Sequence, residues 1–284
     1  MPKPMIRKIA INTGGGDAPG LNAVIRAVTI AGLSRGWEVA GIRDGYNGIF
    51  LPERYPSGGL ISLTRERVRG ITHLGGTILG TTNRGNPIKY PTMGPDGKMY
   101  EKDRSDELVD AFRLNRIDAL VAIGGDGSLT IANELAKKGL RVIGVPKTID
   151  NDLEKTVITF GFDTAVSFAT ECIDRLHPTA EAHQRVMVVE VMGRYAGWIA
   201  LNAGISSGAD VILIPEIPYD IKKIAAKIRE RDTYGARFTM VVVAEGAKPL
   251  GGEISVVSKE LGRAERLGGA GERVAHEIQE TTGK

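Results

Sequence analysis

The chain has 284 residues, 42% hydrophobic and 25% charged, a balance that suits a soluble globular protein with room for two domains and their cores. Its formal net charge of +3 comes from scattered basic residues, which excludes a nucleic-acid footprint. No apolar run nears the roughly 18 residues that span a bilayer, and no secretory h-region opens the sequence, so a cytoplasmic protein without a membrane partner is expected.

Lys8-Ile-Ala-Ile-Asn-Thr13 reads as a first strand, Gly14-Gly-Gly-Asp-Ala-Pro-Gly20 as a loop, and Leu21 to Ala31 as a helix by its apolar spacing. Strand, glycine loop and helix make a phosphate cradle, because freed backbone N–H groups and a helix N-terminus favour an anion. Pro19 stands where the dinucleotide fingerprint needs its third glycine, and no Walker lysine follows. Asp17 reads first as a helix N-cap, with a metal-side carboxylate as the alternative.

Glu38 to Ile42 reads as a second strand. Gly75-Gly-Thr-Ile-Leu-Gly-Thr-Thr-Asn-Arg-Gly-Asn-Pro87 then places Arg84 in a loop suited to phosphate oxygens, and Tyr90 to Lys102 reads as an exposed excursion. Asp106 to Asn115 is an amphipathic helix and Asp118 to Ile123 a buried strand. Gly124-Gly-Asp-Gly-Ser128 follows, leading into a helix from Leu129 to Lys138. Here Asp126 is a candidate Mg²⁺ carboxylate and Ser128 a candidate helix cap.

Arg141 to Val145 reads as a buried strand, and Pro146-Lys-Thr-Ile-Asp-Asn-Asp152 follows it at the edge where parallel sheets hold ligands. Two carboxylates one residue apart, behind a lysine, are either a solvated turn or a site where one carboxylate takes a proton from a substrate hydroxyl. The pattern restarts after Gly161, which sets an expected boundary between domains 1–161 and 162–284.

Asp163 to Leu176 reads as a helix packing through Ala165, Val166, Ala169, Ile173 and Leu176, with the single cysteine, Cys172, expected in the core. Strand Val186 to Val191 is bracketed by Arg185 and Arg194. Val211 to Ile214, a helix from Ile221 to Arg231, strand Phe238 to Ala244 with Glu245 at its end, and a helix from Glu272 complete the alternation. The fold class expected is α/β, as two Rossmann-like three-layer domains with mostly parallel sheets and ligands at strand carboxyl ends in the cleft between them.

Gly15-Gly-Asp-Ala-Pro-Gly20, Gly124-Gly-Asp-Gly-Ser128, Thr148-Ile-Asp-Asn-Asp152 and Met192-Gly-Arg194, in this order and with Ala182-His-Gln-Arg185 before the last, resemble the phosphofructokinase family. The resemblance covers nearly the whole chain. It implies phosphoryl transfer to the 1-hydroxyl of fructose 6-phosphate with Mg²⁺, giving fructose 1,6-bisphosphate in glycolysis. By the same resemblance Asp150 is the base, Asp126 the metal carboxylate, and Gly15, Arg84, Gly125, Gly127 and Ser128 donor-binding positions. Thr148, Asp150, Met192, Gly193, Arg194 and Glu245 match sugar-phosphate contacts, with Lys147, Thr148 and Arg194 assisting catalysis. Arg185 matches an arginine delivered by a neighbouring subunit, which implies a homo-oligomer, dimer or tetramer.

Pyrophosphate-using members resemble one another in carrying Asp at the position of Gly127 and Lys at that of Lys147. Gly127 leaves room for the α-phosphate of ATP where a carboxylate repels it, whereas Lys147 suits compact pyrophosphate. The expectation is therefore an ATP-dependent 6-phosphofructokinase, with a pyrophosphate-dependent enzyme or a non-catalytic nucleotide or sugar-phosphate binding chain as alternatives. The family also continues into a Gly-His-x-Gln-Arg-Gly-Gly segment that touches the sugar 6-phosphate. The only Gln-Arg pair here is Gln184-Arg185, so Lys284 reads as an early end.

Overall fold

The computed structural model of the chain describes residues 5–258 and 265–284. The chain divides into two compact units, one formed by the chain up to Thr148 with Leu153–Gly161, the other by Ile149–Asp152 with Phe162–Lys284. No helix among the described residues is long and apolar enough to cross a membrane.

The first unit runs β1 (Lys8–Thr13), α1 (Leu21–Ser34), β2 (Glu38–Ile42), α2 (Asn47–Phe50), β3 (Leu60–Ser62), β4 (Tyr90–Met93), β5 (Met99–Lys102), α3 (Ser105–Leu114), β6 (Ala119–Gly124), α4 (Asp126–Lys137), β7 (Val142–Thr148) and β8 (Phe160–Gly161). Its main sheet has the order β3-β2-β1-β6-β7-β8. All neighbours pair in parallel except β3, which lies antiparallel on β2. Alternation along β1 fills both faces. Ile9 and Ile11 meet Leu21, Ile25 and Leu79 on one side, while Ala10 joins Leu108, Phe112, Leu120 and Leu135 on the other. Burial on both faces is what a near-continuous apolar strand signals.

Asp118 fastens the start of this sheet, its carboxylate accepting from the backbone N–H groups of Arg7 at 2.7 Å and Lys8 at 2.9 Å. Those bonds hold its carboxyl below the usual range. The Tyr90 to Lys102 excursion is exposed and forms the β4–β5 hairpin.

Three expectations for this unit need correction. The strand expected over Arg141 to Val145 runs on through Thr148 and is not buried, with Ile143 66% exposed. β7 has β8 beside it only at Lys147 and Thr148, so Pro146 sits where a missing N–H costs no ladder bond. Asp17 does not cap α1, since the N-cap position is Gly20 at φ 94° and Asp17 is exposed. Nor does Ser128 cap α4, which starts at Asp126 behind Gly125.

The second unit runs α5 (Phe162–Asp174), α6 (His177–His183), β9 (Val186–Val191), α7 (Trp198–Ser206), β10 (Val211–Leu213), α8 (Ile221–Thr233), β11 (Thr239–Ala244), β12 (Val256–Ser258), β13 (Arg266–Leu267) and α9 (Ala270–Thr282). β10, β11 and β9 form a parallel sheet in that order. Central β11 is buried throughout. Val241 and Val243 pack under Ile224 and Ile228 of α8 and Val274 and Ile278 of α9, while Met240 and Val242 pack under Ile173, Ala200 and Ala203 on the helices of the opposite face.

Helix α5 packs as expected through Ile173, with Val166, Ala169 and Leu176 against the same cluster. Cys172 does not join them; it is exposed. Steps of about 100° per residue place it beside buried Ile173 but on the outer flank of the stripe.

Candidate active site

In the first unit the carboxyl ends of β1, β6 and β7 are tied into one edge by close backbone approach. Ser128, in the first turn of α4, lies against both glycine loops: a Cβ on Gly14 would stand 2.5 Å from its Oγ, and one on Gly124 would stand 2.3 Å from its Cβ. Only glycine admits such contacts. Gly14 N–H donates to the Ile123 carbonyl at 2.9 Å, which continues the strand pairing into the loop.

Lys147 projects into this edge from β7. It is 4% exposed, and its Nζ donates to the Gly16 carbonyl. A Cβ on Gly15 would lie 3.7 Å from that Nζ, and one on Gly125 would lie 3.4 Å from the Lys147 carbonyl. The lysine therefore braces the first glycine loop while its backbone borders the second. The Thr148 carbonyl accepts from Thr159 Oγ1 at 2.7 Å, which fixes the end of β7.

The loop carrying Arg84 is stitched to the same edge. Gly15 N–H donates to the Thr82 carbonyl at 3.2 Å, Thr81 Oγ1 donates to the Gly15 carbonyl at 2.6 Å, and Thr13 Oγ1 donates to the Gly80 carbonyl at 2.7 Å. Buried Asn22 on α1 clasps the loop's start: Nδ2 donates to the carbonyls of Leu74 and Gly75 at 3.1 and 3.2 Å, and Oδ1 accepts from Ile78 N–H at 2.9 Å. Arg84 itself is exposed two residues past Thr82. Gly15, Gly125, Ser128, Lys147 and Thr148 are thus gathered at one edge, with Arg84 on a loop fastened to it.

Gly16 and Gly127 are the open positions of this edge, since a Cβ on either would meet nothing within 4 Å. Asp126 and Gly127 are exposed in the first turn of α4. Among the described residues no group of three or more His, Cys, Asp or Glu side chains gathers to hold a metal. The exposed Asp126 carboxylate beside two glycine loops fits Mg²⁺, which keeps several waters and shares substrate phosphates with one or two carboxylates.

Two tyrosines border this region. Burial pushes the Tyr46 phenol far above its ordinary range, with the Asn12 side chain pulling the other way. Burial, then the hydrogen bond and charge of Asp44, raise Tyr55 to about 12; its hydroxyl donates to Asp44 Oδ2 at 2.8 Å.

In the second unit the ends of β9 and β11 form another edge. Glu245 follows β11, and its Oε1 accepts from the N–H groups of Gly193 at 3.3 Å and Arg194 at 2.9 Å. Gly193 has φ 140° and Arg194 φ 51°; the left-handed conformation costs a non-glycine residue about 1–2 kcal/mol. Two successive N–H groups pointing at one oxygen form an anion nest, here filled by the chain's own carboxylate. The Arg194 guanidinium donates to the Glu265 carbonyl at 3.3 Å and lies 5.4 Å from the Tyr195 ring centroid.

Glu245, Gly193 and Arg194 are brought together, and Met192 stands exposed beside them. Arg185 is not: it precedes β9 and Met192 follows it, so seven steps of roughly 3.3 Å each across the six strand residues put them about 23 Å apart. Arg185 instead lines a groove of about 790 Å³ with Val186 and Val188 of β9 and Arg273 and His276 of α9.

Residues 8–284 match the family described as Phosphofructokinase. The chain belongs to that family. It is 53% identical to ATP-dependent 6-phosphofructokinase 2 of Clostridium perfringens, covering 96% of this chain and 74% of the relative. It is 50% identical to ATP-dependent 6-phosphofructokinase of Chloroflexus aggregans, covering 98% and 74%. It is also 46% identical to pyrophosphate–fructose 6-phosphate 1-phosphotransferase of Amycolatopsis methanolica, covering 98% and 76%. The solved phosphofructokinase of Saccharomyces cerevisiae superposes with a TM-score of 0.77 at 31% identity, over 97% of this chain and 36% of that one. The chain thus spans about three-quarters of these curated relatives' length and about a third of the yeast chain.

Within this chain, sequence reasoning missed the threonines at 13, 81 and 82 and the Asn22 clasp. Their partners lie 52 to 68 residues away, and no local pattern marks such pairs. The run of threonines beside Arg84 was the available signal.

Proposed function

We propose that this phosphofructokinase transfers the γ-phosphoryl group of ATP to the 1-hydroxyl of fructose 6-phosphate. A bond forms between the sugar O1 and the γ-phosphorus, the bond from that phosphorus to the β–γ bridging oxygen breaks, and ADP leaves. Asp150 takes the proton from the hydroxyl, since a base in hydrogen-bond reach supplies the nucleophile. Thr148 borders that motif, and Arg194 with Met192 and Gly193 holds the sugar phosphate, with Glu245 at the same strand end bonded to the backbone of that loop.

On the donor side, Gly15, Gly125, Gly127 and Ser128 shape the cradle and Arg84 neutralises phosphate charge. Lys147 braces the Gly14–Gly16 loop and adds a cation behind it. Asp126 would hold Mg²⁺, which supplies charge neutralisation on the phosphates when bound. The catalytic demand is positioning and electrostatics, which backbone amides, arginines and a lysine meet without covalent chemistry.

The observation that carries the donor choice is the open space at Gly127: a glycine in the first turn of α4 leaves room for an α-phosphate that a carboxylate would occupy and repel. The names of the relatives at 50% identity or more point the same way. Pyrophosphate remains the donor to test against, because Lys147 adds a cation suited to it. A second copy of the chain supplying Arg185 is supported by the length of β9, which keeps a chain's own Arg185 about 23 Å from the Met192 end of that strand.

The test of the base is Asp150→Asn. Turnover is expected to fall about 10²–10⁴-fold with the KM for fructose 6-phosphate nearly unchanged. Near-normal turnover would remove Asp150 from that role.

A further inference from the structure

Glu245 lies at a strand end with its carboxylate turned onto the backbone of another loop. One oxygen accepts from both Gly193 N–H at 3.3 Å and Arg194 N–H at 2.9 Å. Its own N–H donates to the Val191 carbonyl at 2.9 Å, so the loop is held from both sides of the β9 end. The residue is 9% exposed, which places these bonds where water competes little.

The next residue adds a steric stop. A Cβ on Gly246 would stand 2.0 Å from the Arg194 carbonyl oxygen, so the backbone at 246 lies directly against Arg194. Arg194 holds φ 51°, a conformation that persists in a non-glycine residue only where its surroundings over-determine it. From that backbone its guanidinium reaches the Glu265 carbonyl at 3.3 Å, and the neighbouring Tyr195 hydroxyl donates to Glu265 Oε1 at 2.7 Å. Both ends of Arg194 are fixed, and the backbone end is fixed by residues 245 and 246.

We propose that Glu245 is a positioning residue: through the backbone N–H groups of Gly193 and Arg194, its carboxylate holds Arg194 in the left-handed conformation that aims the guanidinium at the sugar phosphate. This rests on the reading that Arg194 binds that phosphate. It differs from a contact role for Glu245, because the carboxylate's effect passes through Arg194. A removed clasp lets residue 194 relax to an ordinary conformation, which redirects the side chain from its first bond outward.

The experiment is a double-mutant cycle on the full chain with Glu245→Ala, Glu245→Gln, Gly246→Ala and Arg194→Ala, reading kcat/KM for fructose 6-phosphate with ATP. Amide hydrogen exchange at Gly193 and Arg194 is read in the ligand-free protein. Glu245→Ala is expected to lower kcat/KM about 10²-fold, the scale of a displaced positioning group, and to speed exchange at both amides more than tenfold. Glu245→Gln keeps an acceptor oxygen and is expected to stay within about threefold on both readouts. Glu245→Ala added to Arg194→Ala should cost nothing further, because the clasp acts only through Arg194.

Gly246→Ala retains the carboxylate but pushes on the Arg194 carbonyl, and it should show the same non-additivity should Glu245→Ala fold poorly. Full additivity of either variant with Arg194→Ala, or unchanged exchange in Glu245→Ala, overturns the positioning role while leaving Arg194 in its site. Wild-type kcat/KM in Arg194→Ala itself would instead remove the underlying reading of Arg194.

Discussion

The two strand-end regions that carry the candidate residues are held by opposite means. At the β1, β6 and β7 ends, loops are spaced by what is absent: Gly14 and Gly124 let Ser128 approach to distances a Cβ would forbid. At the β9 and β11 ends, the loop is held by what is present, a carboxylate filling a nest of two N–H groups. The first region should break when atoms are added and the second when they are removed. Lys147 is the exception within the first, a buried cation tied to the Gly16 carbonyl.

The largest expected effect tests that exception. Lys147→Met keeps the stem and removes the charge, and should lower kcat/KM for the donor about 10²-fold or more, the scale of losing one preorganised electrostatic partner. Steady-state kinetics with ATP varied checks it, and an unchanged donor kcat/KM would reduce Lys147 to packing.

Adding an atom to the same edge comes next. Gly124→Ala sets a Cβ 2.3 Å from the Ser128 Cβ and should destabilise the chain by about 1–3 kcal/mol. Ser128→Gly in the same chain should return part of that loss, visible as a recovered denaturation midpoint. No recovery would mean that Ser128 does not set the spacing.

Asn22→Ala leaves two carbonyls and one N–H without their side-chain partner, at a cost of about 1–3 kcal/mol. It should also raise the donor KM, because the clasped loop leads to Arg84. A stability loss with an unchanged donor KM would separate that loop from the donor region.

The smallest effect is a titration. Tyr55 ionises at about 12 because burial and Asp44 disfavour its phenolate. The folded state therefore keeps a proton that the unfolded chain loses near pH 10, and this contribution to stability declines as pH rises from about 10 to 12. Spectrophotometric titration should show late-ionising tyrosines, Tyr46 among them, and the component near pH 12 should be lost in Tyr55→Phe.

Much of this architecture was legible in the sequence because polar punctuation bounds its apolar runs. β1 and β9 fall at the expected residues, and Glu245 lies at the end of β11 as its position after that run implied. What failed has physical reasons. Helix α7, Trp198–Ser206, has apolar residues around its circumference and so no face to mark a period. Helix α6 was not among the expected elements; it is only seven residues long and starts with His177-Pro178, where proline suits a first turn.

Asp17 and Ser128 looked like caps because serine and aspartate before an apolar run usually are, but Gly20 and Gly125 hold the N-cap positions. Cys172 was assigned to the core by its apolar neighbours and lies outside. In the candidate site, the motifs named the edge residues, while the threonines and Asn22 that fasten them depend on distant partners that a local pattern does not carry.

The central claim is a donor and an acceptor, and one assay addresses both. Formation of fructose 1,6-bisphosphate from fructose 6-phosphate and Mg²⁺ is measured with ATP and, in parallel, with pyrophosphate. Product with ATP and little with pyrophosphate is the expected result, with Gly127→Asp reversing or abolishing the preference. Product with pyrophosphate alone would contradict the reading of Gly127, and no product with either donor would contradict the proposed activity of this chain.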